Sequence, residues 1–127
     1  MPNGFHGTRE AWDRMEAPLR ALDPVLEAWA TRHGMSLSRN SHAWPERSLA
    51  WGAPVERLIQ IYLEDQDRLT WNVWICAFED RPSGRHWKRE FLRSDEPIAR
   101  IDTDLERLLG EAARIVDGWS TDDLEPA

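Results

Sequence analysis

The residues best suited to chemistry are Cys76, His86 and a polar–aromatic stretch from Arg39 to Trp51. A thiol becomes a nucleophilic thiolate near neutral pH only beside a base or a cation. Matching the apolar parity of segments 69–79 and 85–93 predicts Cys76 and His86 on one sheet face, opposite or one step diagonal. Cys76, however, sits in Trp-Ile-Cys-Ala-Phe (74–78), an apolar setting that raises a thiol's pKa. The sequence therefore favours a structural cysteine. No P-loop, GxGxxG, GxSxG, HExxH or zinc-ligand spacing occurs, so neither a cofactor nor a metal is expected.

Three charged clusters carry weaker signals. Arg39, His42, Trp44, Arg47 and Trp51 crowd one stretch, and an arginine beside an exposed indole can hold a carboxylate or a partner's aromatic. The favoured alternative buries both tryptophans and solvates both arginines. Glu64, Asp65 and Asp67 share one turn but lack a calcium-loop continuation, which predicts a solvated turn. Arg81, Arg85, Lys88, Arg89 and Arg93 stand against Glu90 alone. This basic segment suits an acidic partner, although charge protecting an edge strand is the favoured reading.

These side chains need a scaffold, and composition bounds it. The chain has 127 residues, of which 41% are hydrophobic and 31% charged, enough apolar content for one folded domain. The net charge of −7 argues against nucleic acid and anionic membrane surfaces. One cysteine excludes an intrachain disulfide, and the apolar run 73–78 is far too short to span a bilayer. No apolar leader is visible at the start, so a cytoplasmic protein is expected. Eight tryptophans point to a core, an interface, or both.

Periodicity supplies the elements. Trp12, Met15, Leu19, Leu22, Leu26 and Trp29 make one helical face from Thr8, interrupted by Pro18 and Pro24. This predicts a kinked helix, or two helices with Asp23 capping the second, ending at His33-Gly34. Segment 35–38 is an ambiguous edge strand. Strands follow over 47–51, 55–64, 69–79 and 85–93, joined by short polar turns and therefore antiparallel neighbours. Thr103 and Glu106 form a capping box before a C-terminal helix with a wide apolar stripe from Leu105 to Trp119. The fold class is α+β: a four- to five-stranded antiparallel meander with both terminal helices on one face. A single domain over 1–127 is expected, with 1–7 and 120–127 flexible.

Odd-numbered strand residues, including Ile59, Ile61, Trp71, Val73, Trp87 and Phe91, are predicted to face the helices. Even positions define a mixed second face. A turn over 64–69 pairing Leu63 with Leu69 would put Leu58 opposite Trp74 and Tyr62 opposite Thr70. Two readings of this face compete: a helix or the 35–46 segment folds over it, or it docks a partner or ligand, with Leu58, Tyr62, Trp74 and Phe78, and with Trp44 and Arg47, as the candidate binding residues. No motif specifies an activity. The sequence suggests a small acidic non-catalytic interaction module, of the immunity, antitoxin or chaperone kind, binding a protein partner or a second copy of itself as a homodimer. The alternative is a small-molecule-binding protein or small enzyme with a pocket between sheet and helix.

Overall fold

The computed structural model describes residues 7–41, 44–63 and 70–127, with residues 93–103 in backbone alone. The helical stripe from Thr8 forms one helix, α1 (Arg9–His33), rather than two. Thr8 Oγ1 accepts a hydrogen bond from the Ala11 amide at 3.1 Å, satisfying one orphan donor of the first turn. Gly34 ends the helix at φ +67°, a left-handed conformation that favours glycine. Pro18 and Pro24 lie inside the helix, and the buried stripe Met15, Leu19, Leu22, Leu26 and Trp29 passes both without losing phase. Asp23, expected as a cap, is an internal residue whose carboxylate serves another purpose.

The chain then builds a six-stranded antiparallel sheet in sequence order. The strands are β1 (Ser36–Arg39), β2 (Glu46–Trp51), β3 (Glu56–Leu63), β4 (Thr70–Arg81), β5 (Gly84–Pro97) and β6 (Glu125–Pro126). The expected four to five strands become six because the ambiguous segment near Leu37 pairs with β2 and the C-terminal segment pairs with β5. Between β2 and β3, Gly52 has φ +91°, and an added Cβ would lie 2.8 Å from the Val55 carbonyl, so glycine is required there.

Helix α2 (Ile98–Asp117) starts earlier than the Thr103 signal, with non-helical geometry at Asp104 (φ −121°, ψ 18°). The Thr103 side chain of the predicted capping box lies outside those described, and Glu106 accepts from Arg32 at 3.3 Å. The helix buries Leu105, Leu108, Leu109, Ala112 and Val116. Both helices cover the same sheet face, where Leu49, Ile59, Ile61, Trp71, Val73 and Ile75 join one core with them. Trp71 is fully buried. Burying one such side chain contributes a few kcal/mol at about 25 cal/mol per Å².

The acidic segment 120–127, expected to be loose, is built into the fold. A 3₁₀ turn over Thr121–Asp123 precedes β6, and Leu124 is buried in the core. Arg81 donates to the Thr121 carbonyl at 2.9 Å, and the Ala127 amide donates to the Arg85 carbonyl at 2.9 Å. The expected fraying of 1–7 falls almost wholly outside the described residues. No helix among the described residues is long and apolar enough to cross a membrane.

Arg47 ties α1 to the sheet. It is 1% exposed and points toward the helices from β2. Its Nε donates to Asp23 Oδ1 at 2.7 Å, and Nη2 to Asp23 Oδ2 and Glu16 Oε1 at 3.2 and 2.8 Å. Nη1 donates to Asn40 Oδ1 and the Glu46 carbonyl, each at 3.0 Å. All five guanidinium N–H groups are thus satisfied, which offsets the desolvation of the charge. Burial alone would push the Glu16 carboxyl up; hydrogen bonds from Arg20 and Arg47 outweigh it and hold the pKa below the ordinary 4.5.

Two outcomes follow. Arg47→Met removes the buried cation between Glu16 and Asp23, leaving each with one more exposed arginine, Arg20 or Arg39, and should destabilise the protein by about 3–5 kcal/mol in urea. Adding Glu16→Gln and Asp23→Asn should recover part of that loss. Because the folded pKa of Glu16 is depressed, its contribution is fully present above pH 4.5 and is lost as pH falls below it. Urea midpoints measured from pH 6 to pH 3 should therefore fall more steeply for the wild type than for Glu16→Gln.

Candidate functional site

The sheet face away from the helices is assembled by register. β3 and β4 pair Leu58 with Cys76, Gln60 with Trp74, Tyr62 with Asn72 and Leu63 with Trp71. The expected pairings of Leu63 with Leu69, Leu58 with Trp74 and Tyr62 with Thr70 are therefore off by two residues. Facing is preserved, because a two-residue slip keeps every side chain on its side. Leu58, Trp74, Cys76 and Phe78 do share the outer face.

β5 corrects a larger expectation. Arg81 pairs with Gly84 across a turn on Pro82-Ser83, with Gly84 at φ +122°. This short loop sets odd-numbered β5 residues opposite even-numbered β4 residues. Phe78 faces Trp87, Cys76 faces Arg89 and Trp74 faces Phe91. Trp87 and Phe91, predicted to face the helices, lie on the outer face instead. Lys88 and Leu92 take the inward side: Lys88 Nζ lies 5.1 Å from the Trp119 ring centroid, and Leu92 packs on the core.

The result is an aromatic–arginine cluster. The rings of Trp74 and Phe91 meet edge to face at 4.7 Å. The Arg89 guanidinium carbon stands 4.2 Å from the Trp87 ring centroid and 4.9 Å from that of Trp74. Arg85 covers the Phe78 ring at 4.3 Å and pairs with Asp80 at 2.8 Å, which holds the Asp80 carboxyl below its ordinary pKa. Such stacking is worth about 0.5–1 kcal/mol per contact where exposed. Phe91 is 53% exposed and is the large exposed apolar side chain among the described residues.

The remaining predicted site residues go elsewhere. Tyr62 is on the outer face by register but buried, opposite Glu46 and Asn72. That end is a buried polar network: Glu46 accepts from the Ser41 amide and hydroxyl at 2.7 and 2.8 Å, from Gln60 at 3.3 Å and from Ser48. Trp44 packs on the core and donates its indole N–H to the Leu63 carbonyl at 3.2 Å. Arg47 is the helix clamp, so the expectation of a solvated arginine fails there, whereas Arg39 is exposed as expected and pairs with Asp23 and Glu27. Trp51 donates to Asp117 at 2.9 Å. His42 and the turn with Glu64, Asp65 and Asp67 lie outside the described residues.

The nucleophile–base pair dissolves. His86 pairs with Glu79, three strand positions from Cys76 and on the opposite face. Burial pushes the Cys76 thiol up, and the nearby positive charges of Arg89 and Arg85 only partly oppose it. Among the described residues, no group of histidine, cysteine and carboxylate side chains is placed to hold a metal ion. Sequence reasoning missed Trp87, Arg89 and Phe91 as members of the face. The signal was the Pro82-Ser83-Gly84 turn, whose brevity makes the pairing sum odd.

At pH 8, iodoacetamide should alkylate native Cys76 more slowly than it alkylates glutathione, and urea should remove the difference. A native rate above that of glutathione would contradict the buried setting. No protein-family model matches the chain, nor does any curated protein or solved structure.

Proposed function

We propose that this chain is a non-catalytic interaction module that binds one protein partner stoichiometrically through the outer face of β3, β4 and β5. The observation that carries the reading is the cluster of Trp74, Phe78, Trp87 and Phe91 laced by Arg85 and Arg89. Aromatic and arginine side chains dominate binding hot spots because they bury large area and keep directional donors. A neutralising partner of a toxin or a chaperone-like binder, acting in the cytoplasm, fits this chemistry.

The partner is a different protein rather than a second copy. A two-fold contact centred on exposed Phe91 would bring Arg89 and its symmetry mate together in a desolvated interface. Like charges there oppose association. A partner with acidic groups faces no such penalty, and nucleic acid is disfavoured by the net charge of −7. A small-molecule enzyme draws less support, since Cys76 and His86 are apart and the core side is filled by Trp71, Leu109 and Met15.

Affinity capture with the full chain should retain one protein in a 1:1 complex, measured by light scattering. Phe91→Asp, at an exposed position, should weaken that complex by roughly 30-fold or more while leaving the melting temperature unchanged. A free chain that dimerises and is split by Phe91→Asp would replace the partner with a second copy. Retention unaffected by Phe91→Asp would remove the face from the account.

A further inference from the structure

We infer that Arg89 is a preformed carboxylate-binding position, and that the partner presents an acidic segment with an apolar side chain beside the acid. This rests on the outer face being the binding surface. The inference turns on how Arg89 is held. Its guanidinium carbon lies over two indole rings, 4.2 Å from the Trp87 centroid and 4.9 Å from that of Trp74. A guanidinium stacked this way keeps its N–H edge free, and that edge matches a carboxylate with two parallel hydrogen bonds.

Among the described side chains, the neighbouring cations of this segment are already engaged. Arg85 holds Asp80, Lys88 lies 3.4 Å from Glu90, and Arg81 bridges Glu79 and the Thr121 carbonyl. The Arg89 side chain makes no hydrogen bond or ion pair with any described residue. Asp123 and Glu125 line an open hollow with Arg89 but make no ion pair with it, so Arg89 keeps its charge available beside the aromatic cluster. Stacking also removes much of its rotamer freedom before binding, so less is lost when a carboxylate docks.

Phe91 supplies the second half of the specificity. It stands next to Trp74 in the adjacent row of the sheet, two residues along β5 from Arg89, and about half of its surface is open. An incoming segment with Asp or Glu on Arg89 would set a neighbouring aromatic or aliphatic side chain against Phe91. The open hollow lined by Trp74, Arg89, Glu90 and Phe91 lies at this junction.

The test is selection of a random linear peptide library on the immobilised full chain, counter-selected against Phe91→Asp. Enriched peptides should carry Asp or Glu next to an aromatic or aliphatic residue. Their affinity should fall roughly tenfold for Arg89→Lys, which keeps the charge and loses the planar fork. Unchanged far-ultraviolet circular dichroism and melting temperature control for folding. Enriched peptides without acidic bias, or with equal affinity for Arg89→Lys, would overturn the carboxylate position and leave the face as a binding surface. No enrichment over Phe91→Asp would overturn the acidic segment, and the 1:1 complex would then decide the interaction reading separately.

Discussion

A buried guanidinium with all five N–H groups satisfied joins the first helix to the second strand. Arg47 reaches from β2 to Glu16 and Asp23, two turns apart on α1, and to Asn40 in the loop between β1 and β2. Buried ion pairs contribute less net stability than their geometry suggests, because desolvation opposes the attraction. Their directionality is another matter. Arg47 can be satisfied only with α1 above the face that carries Leu49, Ile59 and Ile61. The apolar stripe of α1 supplies the driving force, and Arg47 sets where along the sheet that stripe lands.

With α1 and α2 both committed to one face, the opposite face must be stabilised by its own side chains. It does so unevenly. Near β2 the buried Glu46, Ser48 and Gln60 form a hydrogen-bonded polar layer, with buried Asn72 close by on the same face. Toward β5 the layer becomes aromatic, with arginines lying on the rings. Stacked arginines cover apolar surface while keeping polar edges toward water. That combination lets the face stay open in the free protein, and under the proposed function it offers area and charge to a partner.

Much of the fold was legible in local patterns. Thr8 and Gly34 bounded α1, and the odd-numbered rhythm of β2, β3 and β4 assigned Ile59, Ile61, Trp71 and Val73 to the core, because period-two alternation reports burial directly. The helix-facing stripe also carried a hint of the clamp. Glu16 and Asp23 sit four residues after Trp12 and Leu19, so both carboxylates face inward on α1 and demand a cation. Reading Asp23 as a cap hid that demand. The assumption that failed was uniform parity. Trp87 and Phe91 look like core residues because they are large and apolar, but the two-residue Pro82-Ser83 loop reverses the facing of β5. The candidate site was therefore half visible: Leu58, Trp74 and Phe78 from β3 and β4 were found, whereas the β5 half depended on turn geometry. Leu124 was equally hidden, since one buried leucine in an acidic tail carries no periodicity.

The facing of β5 is the point on which the account of the outer face turns, and nuclear Overhauser effects between aromatic side chains test it most directly. Contacts are expected between the rings of Trp74 and Phe91 and between those of Phe78 and Trp87, with none from Phe91 to the core methyls. Strong contacts from Trp87 or Phe91 to the methyl groups of Ile59, Ile75 or Leu109 would place both rings under the helices and contradict it.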